Sequence, residues 1–208
     1  MRKLTVTLDK ASIKIKSIFI EPMLGTVPRT DVYAQHIMTK AKEITPEISE
    51  EIKTAPQTIE GIEDKGWTGF HRDKDGSFFI YNYMIKGAIK SSIETLQENG
   101  AIKKIVAYKK WVDRMIDVKP RRIFFTPDKK EAEVLERPLR TMTPKGERVT
   151  VVRSDIIDIG TEIEYEVTLL NNNKNLTIGV IEQALAHMSL GQWRGSGGYG
   201  KVESYITE

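Results

Sequence analysis

The stretch LGQWRGSGGYGKVE, residues 190–203, holds the residue types best suited to chemistry. Gly191, Gly195, Gly197, Gly198 and Gly200 free the backbone for positive φ and for close approach of another backbone. Arg194 stands among them, and a guanidinium grips a phosphate through two parallel hydrogen bonds. Trp193 and Tyr199 are rings of the kind on which unpaired bases stack whatever their sequence. Packing is the competing use: the glycines seat the loop under a sheet and Trp193 fills the core. For Trp193 the packing role is the stronger of the two; Arg194 is read as functional. The GxG spacing does not make a dinucleotide site, because that fingerprint runs strand, glycines, helix. Here a helical pattern precedes the loop and a strand pattern follows it.

Catalytic chemistry finds little footing. The chain has no cysteine, which excludes disulfides, thiolate catalysis and Cys-based zinc sites. A metal-free ribonuclease needs a base near neutrality, usually histidine. His71, beside Arg72 and Asp73, is the best placed for that role, ahead of His36 and His187. No pair of these has metal-ligand spacing, and Asp73 and Asp75 read as turn formers. The expectation is binding without catalysis, with no metal and no cofactor.

These groups need a scaffold. At 208 residues, 39% hydrophobic and 29% charged, the chain suits one folded domain of residues 1–208. No run approaches the roughly 18 apolar residues of a membrane span, and MRKLTVTLDK has no signal-peptide core. A cytoplasmic protein with no membrane partner is expected. The net charge is only +3, but basic residues concentrate from Lys103 to Arg153 and acids from Glu43 to Glu63, so one basic face is compatible with the total. Lys103 to Lys110 read as a solvated surface.

Residues 3–8 and 12–20 read as strands, and Val32, Ile37, Met38 and Ala41 recur at helical spacing. The acidic segment 44–66 looks like a short helix within a mobile insertion. Asp75-Gly76 signals a tight turn before the apolar run from Phe78. Ile85, Ala88, Ile89, Ile93 and Leu96 form one helical face, stopped by a left-handed Asn99-Gly100. Strands are expected at 121–125, 148–153 and 161–170, a loop at 171–175, a second helix from Leu176 to Met188 and a closing strand at 201–206. Stripped of insertions, the order is βαββαβ: an α+β chain with a ferredoxin-like or RRM-type core.

Three blocks, in order, resemble the RAMP superfamily, the Cas5, Cas6 and Cas7 proteins of CRISPR effector complexes. They are EPMLGTVP at the end of an early strand, HRDKDGSFFIYNYMIKGAIKSSIE, and the glycine-rich LGQWRGSGGYGKVE. In the second, Lys86-Gly87 matches the family's "K-G" and Lys90-Ser91 takes the place of its "R-S". The resemblance implies a Cas7-like fold with insertions. It also implies that the glycine-rich loop and the helix opened by "K-G" lie against RNA. That brings in Lys86, Gly87 and Lys90 beside Trp193, Arg194, Gly195, Gly197, Gly198, Tyr199 and Gly200. Most of the chain is also similar to small proteins of phages and prophages of Gram-positive bacteria, a likeness that brings no activity with it. The same likeness draws attention to RPLRTMTPKGERV, residues 137–149. Arg137, Arg140, Lys145 and Arg148 there make a basic, hairpin-like loop suited to phosphates. A surface turn whose arginines pair with Glu133, Glu136 and Glu147 is an equal alternative.

The expected partner is single-stranded RNA or DNA, in the bacterial host cytoplasm if the chain is phage-encoded. Two alternatives stand beside it. One is a Cas6-like metal-independent endoribonuclease using His36 or His71. The other is a protein-interaction module: a head-to-tail homo-oligomer, a member of a CRISPR-type complex, or a mimic that blocks one. Exposure of Phe78, Phe79 and Tyr81 would support the last.

Overall fold

Alternation along KASIKIKSIF buries Ile15, Ser17 and Phe19 while Ser12 and Lys14 face solvent, the two-residue period of a half-buried strand. This is β1 (Lys10–Phe19). The computed structural model describes residues 10–28, 45–54, 67–143, 146–170, 176–195 and 197–207. After β1 come β2 (Met23–Leu24), β3 (Val27–Pro28), α1 (Pro46–Thr54), β4 (Trp67–Gly69), β5 (His71–Arg72) and β6 (Phe78–Tyr81). Then follow α2 (Asn82–Glu98), α3 (Tyr108–Met115), β7 (Ile116–Lys119) and β8 (Arg122–Thr126). After these lie β9 (Glu133–Thr143), β10 (Gly146–Ile157), β11 (Glu162–Leu170), α4 (Ile178–Ala186) and β12 (Val202–Ile206). The strand expected at 3–8, the helix around Val32–Ala41 and the loop at 171–175 lie outside the described residues.

The architecture is mixed α+β, with two sheets of mostly antiparallel strands. The first runs β12-β1-β11-β8-β6-β5, with β7 also paired to β11. The second runs β2-β10-β4-β3, with β9 on β10, and its β4–β10 pairing is parallel. Helices α2 and α4 cover one face of the first sheet. Ile85, Ala88, Ile89 and Ile93 from α2 and Ile181, Ala184 and Leu185 from α4 join Ile15, Phe19, Ile123, Phe125, Ile163 and Val167 in one core. The larger of these side chains contribute about 1.5–3 kcal/mol each when fully buried. The opposite face of β1 and β11 is charged: Lys14 stands opposite Glu166, and Lys16 is held at 2.7 Å by Glu162.

Local chemistry explains the ends of these elements. The Asp73 carboxylate accepts hydrogen bonds from the backbone N–H groups of Asp75 and Ser77, both at 3.0 Å, and fixes the turn into β6. Helix α2 ends where Gly100 takes φ +73°, while Asn99 stays right-handed at −82°, so the left-handed stop belongs to Gly100 alone. Thr177 caps α4 by accepting from the Val180 N–H at 3.3 Å. Of the stretch 137–149, expected as a loop, the described residues 137–143 and 146–149 belong instead to two long strands paired from Glu133↔Ile156 to Thr143↔Gly146. Its charges hid the strand signal: with Thr141, Thr143 and Val149 to Val152 present, β-branched residues outvote them.

Within the core, the Tyr165 hydroxyl meets Ser17 Oγ at 3.0 Å, and Ser17 meets Ser204 at 2.8 Å. Burial pushes the Tyr165 phenol up to about 12, against the opposing pull of the Ser17 and Ser204 hydroxyls. Above pH 10 the unfolded chain releases this proton and the folded chain keeps it, so stability falls as pH rises from 10 to 12. The loss approaches about 2–3 kcal/mol at the top of that window. Tyr165→Phe is therefore expected to be about 1 kcal/mol less stable than wild type near pH 8. In urea unfolding near pH 11.5 the order should reverse. An unchanged difference across the window would show that Tyr165 ionises as freely folded as unfolded.

Candidate functional site

The glycine-rich loop leaves α4 and returns as β12, and its neck is closed by backbone bonds. Ser189 bridges Lys201, and the Leu190 N–H donates to the Gly200 carbonyl at 2.8 Å. The Gly200 N–H donates in turn to Pro22 O at 2.8 Å, and the Gln192 N–H to Leu24 O at 3.2 Å. The Gln192 side-chain oxygen accepts from the hydroxyls of Thr68 (3.1 Å) and Ser154 (3.2 Å). These bonds seat the loop on β2, β4 and β10, so it links the second sheet to the first. At Trp193 the backbone takes φ +59°, a left-handed conformation uncommon for a side-chain-bearing residue. The turn is held by the Gly197 N–H donating to Trp193 O at 2.9 Å. Strain of this kind persists where the surroundings over-determine it, as they do at binding sites.

Trp193 is half-buried, and it does not join the main core. Arg137, from the middle of β9, lies 4.2 Å from its ring centroid and 5.3 Å from that of Tyr199. A guanidinium over two rings is held by their negative faces. One of its nitrogens, Nη2, is buried and has no hydrogen-bond partner among the described residues. The fold thus unites Arg137 with Trp193 and Tyr199, although hairpin and loop are far apart in the sequence.

On the other side of the loop, Arg194 and Gly195 form one wall of a cleft of about 380 Å³. Lys201 and His187 join them, and α2 supplies Ala88, Ser91, Ser92 and Thr95 opposite. The described lining carries two permanent cations, several hydroxyls and no carboxylate. Such a lining favours an anion with several acceptor oxygens. A larger cleft of about 860 Å³ opens beside β7, but Glu164 and Glu166 there offset Lys14, Lys119 and Arg121. The smaller cleft is the better anion site because no carboxylate in its described lining offsets the positive charge.

Not every residue singled out in the sequence converges here. Lys86 lies about 200° of helix rotation before Ala88, and Lys90 about 100° before Ser91, so neither faces the cleft. Lys90 is paired with Asp113 at 2.5 Å. Gly87 is next to open space, as are Gly195 and Gly198. Gly197 is packed against Trp193 and Tyr199, and Gly200 against Leu190. Arg140 is exposed and lies 3.6 Å from Glu147; Arg148 falls in β10, and Lys145 lies outside the described residues. Gln192 and Lys201 belong to the glycine-rich block but were not singled out in it, whereas His187, Thr68 and Ser154 lie outside it and come to the loop through the fold.

Of the histidines weighed for catalysis, His187 lines the cleft. His71 is buried at 1% exposure, stacked on Phe79 and edge-on to Tyr81. His36 lies outside the described residues. Phe78, Phe79 and Tyr81, whose exposure would have marked an interaction surface, are all buried. Among the described residues, no group of three or more His, Cys, Asp or Glu is arranged to hold a metal ion, and no helix is long and apolar enough to cross a membrane. No protein-family model and no curated protein matches the sequence.

Proposed function

We propose that this chain is a non-catalytic, single-stranded nucleic-acid-binding protein with a ferredoxin-like, RAMP-type (Cas7-like) core, working in the cytoplasm of a bacterium and encoded by a phage or prophage. The observation that carries the binding reading is the carboxylate-free cleft with Arg194 and Lys201, on the same loop as the Arg137–Trp193–Tyr199 stack. Phosphates in the cleft and bases near the rings would use both halves of the loop. The core reading draws support from the strand order β12-β1-β11-β7, all antiparallel, with α2 and α4 as the crossovers. That is the order of a split βαβ pair. RRM domains bind RNA on the outer face of the two central strands through aromatic residues. Here β1 presents Ser12, Lys14 and Lys16, and β11 presents Glu162, Glu164 and Glu166. Carboxylates repel phosphate, which directs the ligand to the loop instead.

The experiment is fluorescence anisotropy with labelled oligo-U and oligo-dT of about twelve nucleotides, at about 50 and about 200 mM salt. Binding should weaken steeply with salt, and Arg194→Ala should weaken it about tenfold, or ~1.4 kcal/mol. Absence of binding to either strand at the lower salt would remove the nucleic-acid reading.

A second reading, as a protein-interaction module, has one observation in its favour. On one face of the β9–β10 hairpin, Met142 (81% exposed), Val149 (57%) and Val151 (55%) leave an apolar stripe in solvent. Such a stripe is a feature of association surfaces. If it joins copies head to tail, Val149→Thr/Val151→Thr should abolish any concentration-dependent growth in mass seen by light scattering.

A further inference from the structure

A second cluster of arginines and rings, sharing no residue with the glycine-rich loop, lies on the outer face of the first sheet. In β6 and β8, Phe79 stands opposite Phe124, and Tyr81 opposite Arg122. The Arg122 guanidinium lies 5.1 Å from the Phe79 ring, and that of Arg121 lies 5.3 Å from Tyr81. Tyr83 stacks on Tyr81 with ring centroids 5.5 Å apart and 14° between planes. Tyr83 and Phe124 show their rings to solvent at 45% and 41% exposure. Arginines interleaved with exposed rings are the composition of a platform for unpaired bases. The described part of the acidic segment, α1, meets this cluster. Helix α1 packs beside β5, Glu50 forms a short ion pair with Arg122, and Glu51 approaches Arg121 to 3.8 Å.

We propose that the Arg121–Arg122–Tyr83–Phe124 surface is a second contact for single-stranded nucleic acid. In the free protein, α1 occupies it with carboxylates standing where phosphates would bind. Two facts distinguish this from an ordinary ion-pair cap. The two glutamates are adjacent, and each meets a different arginine of an adjacent pair. Both arginines also lie over rings, so release of the carboxylates would leave cations and aromatic faces together. A strand bound here competes with Glu50 and Glu51 for the same arginines, so the carboxylates set the threshold for its binding. The inference rests on the nucleic-acid reading above, but it uses none of the same residues.

The test is anisotropy with oligo-U and oligo-dT on four proteins: wild type, Glu50→Gln/Glu51→Gln, that variant with Tyr83→Ala/Phe124→Ala added, and Arg194→Ala/Lys201→Ala. The glutamine variant should bind about tenfold more tightly than wild type. Its log–log salt slope should steepen by about 1.4, at about 0.7 for each additional phosphate neutralised. Adding Tyr83→Ala/Phe124→Ala, both exposed positions whose loss spares the core, should erase the tighter binding. A difference between oligo-U and oligo-dT in that effect assigns the platform to RNA or to DNA. Binding that the cleft variant loses but the glutamine variant leaves unchanged or weakens would overturn this inference and keep the cleft. Tighter binding that survives loss of both rings would overturn the stacking platform. No binding by any of the four would overturn both readings.

Discussion

Gly200→Ala should cost more than about 3 kcal/mol, and Gly198→Ala about 1 kcal/mol, although both glycines lie in one loop with similar backbone angles. Gly200 has φ +67° and Gly198 has φ +73°, so each loses about the same by acquiring a side chain in the left-handed region. Their surroundings differ. A Cβ on Gly200 would lie 1.7 Å from the Leu190 carbonyl oxygen, which belongs to the backbone of the loop's neck. On Gly198 it would meet nothing within 4 Å. Relief at Gly200 requires the neck of the loop to open, which breaks the Leu190–Gly200 and Gly200–Pro22 hydrogen bonds together. Urea unfolding checks this through a shift in midpoint at constant slope. If the two substitutions cost the same, the neck is not held by close backbone contact, and the loop's seat on the second sheet is wrong.

That pair of glycines also marks how far the sequence could be read. A glycine-rich run beside an arginine announces that backbone must come close to something, but it does not say to what. Gly191, Gly197 and Gly200 answer to Leu24, Trp193 and Leu190 of the same chain, while Gly195 and Gly198 alone leave room. A carbonyl oxygen and a phosphate oxygen impose the same demand on a neighbouring residue. The helices and long strands of the first sheet were legible because Ile85 to Ile93 and Ile13 to Phe19 carry periodicities that survive without tertiary contacts. Of the second sheet only part of β10 was, in the strand expected at 148–153. Met23–Leu24, Val27–Pro28 and Trp67–Gly69 are too short to show a period, and they become strands only against β10 and one another. The cleft depends on that sheet, since Gln192 is held by Thr68 and Ser154 from it. Lys201 was passed over at the end of the glycine-rich block and His187 was weighed only as a base, because nothing in the sequence sets either of them opposite Ser91, Ser92 and Thr95 of α2. Arg137 was noticed for its charge, yet its place over Trp193 follows from pairing across the hairpin and not from any motif.

Charge reversal at the cleft separates the loop residues from the α2 lysines, which the family resemblance groups together. Arg194→Glu/Lys201→Glu should weaken oligo-U and oligo-dT binding at least about a hundredfold near physiological salt. Lys86→Ala/Lys90→Ala should change it by no more than about twofold. The asymmetry follows from where the charges are. Arg194 and Lys201 line a cleft with no acid in its described lining, so reversing them converts attraction into repulsion at close range. Lys90 is already held by Asp113, and Lys86 lies on a helix face turned from the cleft, so a strand seated there gains little from either. Circular dichroism should report the same fold for both variants, because Arg194 and Lys201 are exposed. The opposite ranking, with the lysine pair dominant, would put the strand along the first turns of α2. It would then be the family resemblance at Lys86-Gly87, and not the geometry of the glycine-rich loop, that had located the ligand.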